Sequence, residues 1–136
     1  MASNEVPVVR SVVAVLAGFF ASTVMSLAGD ILFRRLSPGA FDANGHATND
    51  GALFTVMGYE ALFALIAGYT TARIAQRRPF THALAMGALV LLGRIPTAYV
   101  AWDTAPAWFH LGALLLIIPA ALLGAKFCDL RARSLQ

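Results

Sequence analysis

Two ionisable side chains stand deep inside otherwise apolar runs. Arg94 sits in "LVLLGRIPTAYVAWD", residues 89–103, and Glu60 in "GALFTVMGYEALFALIAGYTTA", residues 51–72. A guanidinium offers five N–H donors and a carboxylate offers only acceptors, so the two are natural partners in a medium without water. Asp30, Tyr59 and Thr97 are further polar groups within reach of the same region. Asp30 precedes Arg34 and Arg35 by four and five residues, a spacing expected to give a local ion pair on one helix face. Tyr59 and Glu60 are sequence neighbours and are expected to point to different faces. Pro96, two residues beyond Arg94, is expected to disturb its helix and free the carbonyl near Leu92 for the arginine.

Other chemistry finds little support. There is no Gly-x-Ser-x-Gly elbow, phosphate-cradling loop, His-Glu-x-x-His or Cys-x-x-Cys, so no catalytic role is expected. His82 and His110 belong at opposite ends of their helices and cannot share one haem. His46 and His110 fall on the same side, but the loop "DANGHATND" lacks the glycine and glutamate placement of a calcium loop. Neither a metal nor a cofactor is expected. The lone cysteine, Cys128, has no partner within the chain and reads as a free thiol.

The elements that position Glu60 and Arg94 follow from composition. Apolar residues make up 59% of the 136-residue chain and charged residues 12%; a water-soluble domain carries about 25% charge. Four apolar stretches, each near the roughly 20 residues that cross a hydrocarbon core, lie between Arg10 and Asp30, Asp50 and Arg73, Arg78 and Asp103, and Asp103 and Lys126. The first is longer than the apolar core of a signal peptide, about 7–15 residues. The expected fold is all-α: a polytopic membrane protein forming one four-transmembrane-helix antiparallel bundle. Helices are expected over about 9–33, 51–73, 80–102 and 106–127, with an outer loop at 34–50. Asp50, Thr81 and Asp103 or Thr104 are the expected N-caps. Tyr99, Trp102 and Trp108 mark an interfacial belt.

With the first helix starting inside, seven of the ten basic residues (Arg10, Arg73, Arg77, Arg78, Lys126, Arg131, Arg133) face the cytoplasm and only Arg34 and Arg35 face outward. Cytoplasmic N- and C-termini are therefore expected. The net charge of +3 is accounted for by this asymmetry, and nucleic acid is not an expected partner. One lysine among many Arg, Ala and Gly points to a bacterial inner membrane. Glu60 and Arg94 each lie about eight or nine residues from the outer ends of neighbouring antiparallel helices. At 1.5 Å per residue both sit roughly 12–14 Å below the boundary, which predicts an intramembrane ion pair.

Small residues recur at helical spacing: Ala14, Gly18, Ser22 and Ser26; Ala64, Gly68 and Ala72; Ala83 and Gly87; Ala120 and Gly124. Such stripes let helix backbones approach in lipid and are expected to pack within one bundle before they pack between copies. The leading functional expectation is an accessory or structural subunit of a membrane complex, or a self-associating bundle, with the lipid bilayer and a membrane protein or second copy as partners. The alternative is a small ion- or solute-transporting protein using Glu60 and Arg94. Size and span count resemble those of small multidrug exporters, yet those carry a glutamate in the first helix. The first helix here has no mid-membrane acid, so no residue carries over.

Overall fold

The computed structural model describes residues 5–135. Four α-helices account for most of them: α1 (Glu5–Leu36), α2 (Asp50–Ala75), α3 (Pro79–Val100) and α4 (Ala107–Ser134). Even the shortest, at 22 residues, is about 33 Å long and matches the roughly 30 Å hydrocarbon core. All four are long and apolar enough to cross a membrane. Consecutive helices run antiparallel.

The distribution of side-chain size explains why this bundle belongs in lipid. Its buried positions are mostly Ala and Gly, and the largest fully buried side chains are Met86 and Thr71. Large apolar residues point outward instead, with Val24 63%, Leu92 65% and Leu115 74% exposed. A water-soluble bundle has the opposite arrangement, because burying Leu and Phe is what drives its collapse. In lipid that drive is absent, and close backbone packing replaces it.

The small-residue stripes are spent inside the molecule. A Cβ on Gly68 would overlap the carbonyl oxygen of Ala121, and one on Gly124 would overlap that of Leu65. These two contacts make the parallel pair α2 and α4 the closest approach in the bundle. Gly18 seats Thr71 and Met86, Ser22 is buried, and Gly87 faces Ala121 and Ile118 at ordinary contact distance. α1 packs against α2 and α3. Near its start, Arg10 Nε donates to the Ile74 carbonyl at 2.7 Å, satisfying an acceptor in the last turn of α2.

Several helix boundaries differ from those expected. α1 and α4 extend past the apolar spans into charged sequence, where an Asp129–Arg133 pair at 2.9 Å supports the last turns of α4. Asn49, not Asp50, caps α2, its side chain accepting from the Ala52 N–H at 2.9 Å. α3 is capped by Arg78 with Pro79 in the first turn, so Thr81 is already inside it. Trp102–Thr104 forms a short 3₁₀ turn and Pro106 is the N-cap of α4, which displaces Asp103 and Thr104 from that role. The tight α2–α3 turn places Gln76 and Arg78 at φ of 59° and 49°. Pro96 does not end α3, which continues to Val100.

The 37–49 connection folds into a small strap. Phe41 and Ala47 pair as an isolated bridge. The Asp42 N–H donates to the His46 carbonyl at 2.9 Å, while Asp42 Oδ1 accepts the N–H groups of Asn44 and His46 at 2.9 and 2.8 Å. Phe41 leans back on Phe33 and on the guanidinium of Arg34, 4.3 Å from its ring centroid.

Candidate functional site

The two apolar clusters, Ala67–Met86–Val90–Ala121 and Ala72–Ala83–Ala125–Cys128, fill the middle of the bundle and the end near the termini. Toward the strap the helices line a partly open cavity of about 300 Å³, to which all four contribute. That volume is at the lower end of the range for small-molecule sites, about 300–1,000 Å³.

The polar wall is assembled from three helices: Asp30 from α1, Tyr59 and Glu60 from α2, and Arg94 from α3. Ser26, one turn before Asp30 on α1, contacts this wall without lining the cavity. Arg94 forms an ion pair with Glu60. Ser26 joins both: its hydroxyl accepts from Arg94 Nη2 at 2.8 Å and donates to Glu60 Oε2 at 2.9 Å. The carboxylate is the more enclosed partner, with 16% of its side chain accessible against 35% for Arg94. A lone charge near a bilayer centre costs about 2.5–3.5 kcal/mol on insertion scales, and this three-way contact offsets much of it. Glu60 uses only one oxygen; Oε1 is buried with no hydrogen-bond partner in the protein. Arg94 makes no bond to the Leu92 carbonyl among the described residues, because its guanidinium is turned across to α1 and α2.

Asp30 departs from its expected role. It does not pair with Arg34 or Arg35 among the described residues; its carboxylate accepts the Tyr59 hydroxyl. Gly29 explains the orientation, since a Cβ there would lie 2.7 Å from the Phe63 ring and 3.3 Å from that of Tyr59. Without it the α2 rings could not come close enough for Tyr59 to reach Asp30. Tyr59 and Glu60 thus both engage α1 despite being sequence neighbours: they reach it one turn apart, at Asp30 and Ser26. Thr97 lines the cavity, with its hydroxyl directed at the Gly93 carbonyl 3.4 Å away.

Two site residues were not recognised as such in the sequence. Ser26 reads there as a packing residue, although Ser22, Ser26 and Asp30 at four-residue intervals already trace a polar ridge on α1. His110 reads as an outer-surface residue. It is instead only 5% exposed, stacks on Trp102 with ring centroids 5.1 Å apart, and lines the cavity with Nε2 lacking a partner in the protein. No sequence signal marks it, because its burial depends on where the 102–104 turn lays Trp102. His46 pairs with Asp42 at 3.1 Å in the strap, away from His110. No group of three or more His, Cys, Asp or Glu converges among the described residues.

Fold and site together define a four-helix membrane-type bundle with a partly open, largely apolar cavity near one end, carrying polar groups on its wall. No family model matches the chain, and comparison with curated proteins and with solved structures yields no match.

Proposed function

We propose that this is a non-catalytic membrane protein that admits a small solute or ion to the cavity beneath the strap, with Glu60 and Arg94 as its polar determinants. The observation that carries the reading is the cavity itself. An accessory subunit needs only a dry interior, and a helix clasp needs no space beside it. Here a half-used carboxylate and its arginine border about 300 Å³ of open volume. The small-residue stripes that would favour a subunit role are already consumed by packing between α1, α2, α3 and α4, which leaves less for docking another chain.

The same reading places the strap outside a bacterial inner membrane and both termini in the cytoplasm. Seven of ten basic residues then lie inside, two outside and Arg94 within the bilayer. Thiol access tests the cavity directly. In a Cys128→Ala background, single cysteines at Ala61 and Thr97 line the cavity, whereas cysteines at Leu92 and Leu115 face lipid. A membrane-impermeant thiosulfonate added on the strap side is expected to modify the first two positions and spare the second two. Unreactive cavity positions would return the protein to the accessory class.

A further inference from the structure

Among the described residues, three buried side-chain atoms have no hydrogen-bond partner in the protein: Glu60 Oε1, His110 Nε2 and Thr71 Oγ1. Thr71 lies beside Gly18 and does not border the cavity. The other two both belong to residues that line it, one contributed by α2 and one by α4. A buried polar atom left unsatisfied is costly, and one facing a cavity can find its missing partner in a molecule that enters it. Between these two poles the wall is apolar, with Leu53, Met57, Phe109 and Ile117.

Resting on the cavity reading above, we propose that the site takes a two-headed ligand: a predominantly apolar molecule with an amine or hydroxyl donor at one end and a second polar group at the other. The donor end serves Glu60 Oε1, which as a carboxylate oxygen still facing Arg94 can only accept. The second group meets His110 Nε2, which donates or accepts according to the ring tautomer. Net charge on the ligand is not required, because Asp30 and Glu60 are balanced by Arg34 and Arg94 on the same wall. An apolar cavity of about 150 Å³ holds benzene, so twice that volume accommodates roughly 10–12 non-hydrogen atoms. Recognition rests on N–H or O–H donation and on matched length between the heads.

Trp102, stacked on His110, provides the reporter. In full-length protein in nanodiscs carrying Trp108→Phe, Trp102 fluorescence is titrated with linear amino alcohols of five to nine carbons. The matching diols, n-alkylamines and N,N,N-trimethylammonium alcohols serve as comparisons. One chain length of amino alcohol is expected to bind most tightly and saturably, with its diol close behind. The quaternary analogue keeps the charge but loses every N–H donor, and is expected to bind at least about tenfold more weakly. His110→Phe preserves the stack and removes Nε2; it is expected to weaken the amino alcohol by about tenfold and leave the alkylamine unchanged. Glu60→Gln is expected to weaken both, in preparations that remain monodisperse and melt cooperatively. If that variant does not fold, the quaternary comparison tests the same pole in otherwise unaltered protein. Equal binding of amine and quaternary analogue, or equal effects of His110→Phe on one- and two-headed probes, overturns the proposal while leaving the cavity reading intact. Absence of any saturable response overturns it too, and thiol access at positions 61 and 97 then decides whether the underlying reading falls with it.

Discussion

Ser26 does for Glu60 and Arg94 what water would do outside a membrane, accepting from the cation and donating to the anion through one hydroxyl. Removing one charge strands the other, whereas removing both leaves no unpaired charge in the bilayer. Glu60→Ala and Arg94→Ala are therefore each expected to cost about 2–3 kcal/mol. The double replacement should lose at least about 1 kcal/mol less than their sum. Denaturant titration in mild detergent measures this, and strictly additive losses would show that the pair is not energetically coupled. Ser26→Ala removes only the bridging hydroxyl and should cost about 1 kcal/mol. The level placement of Glu60 and Arg94 was legible from rise per residue alone, because both distances run along regular helix. Asp30's partner was not legible, since choosing Tyr59 over Arg34 depends on the gap at Gly29, a property of two helices rather than one.

At the scale of elements, glycines divide by what faces them. Gly68→Ala and Gly124→Ala drive a methyl group into backbone carbonyls of the facing helix, which cannot yield without separating α2 from α4. Each is expected to destabilise by about 2 kcal/mol or more. Gly87→Ala places its Cβ 3.5 Å from the Ala121 Cβ and 3.6 Å from Ile118 Cγ1, and should stay within about 0.5 kcal/mol of the parent, aided by higher helix propensity. Thermal melts of the three variants should rank accordingly. The strap makes a pH prediction. The backbone N–H of His46, with further help from its side chain and the Asn44 N–H, holds the Asp42 carboxyl below its ordinary value. A depressed folded-state value means that the carboxylate supports the strap fully above the ordinary Asp range near 3.9 and loses that support as pH falls through the lower value. Protection of the Asn44 and His46 amides, measured as exchange relative to the intrinsic rate at each pH, is expected to hold from about pH 5 to 7 and to fall below about 4. Asp42→Asn should flatten that dependence.

For the whole molecule, orientation is the first prediction. With Cys128 replaced, cysteines at positions 44 and 76 should label from opposite sides of the membrane, and same-side labelling would reverse the assignment drawn from the basic residues. Helix count and class were plain from the four apolar spans, because crossing a bilayer leaves few options to a backbone that must satisfy its own hydrogen bonds. The helix ends were less legible. Capping by Asn49 and the extension of α4 to Ser134 depend on local partners that hydropathy does not register. The cavity was not legible at all, since a void is defined by which side chains fail to meet.

The pairing of α2 with α4 also sets a timetable for biogenesis. These two helices make the closest contact in the bundle, yet α3 separates them in the chain. A ribosome emits α1, α2 and α3 before the partner for the Gly68 cleft exists. Until α4 inserts, that cleft remains open to lipid and the cavity lacks the wall that carries Phe109 and His110. The cavity is therefore completed only with the last span, and a chain halted after α3 would be a three-helix fragment with an unfilled seam at Gly68.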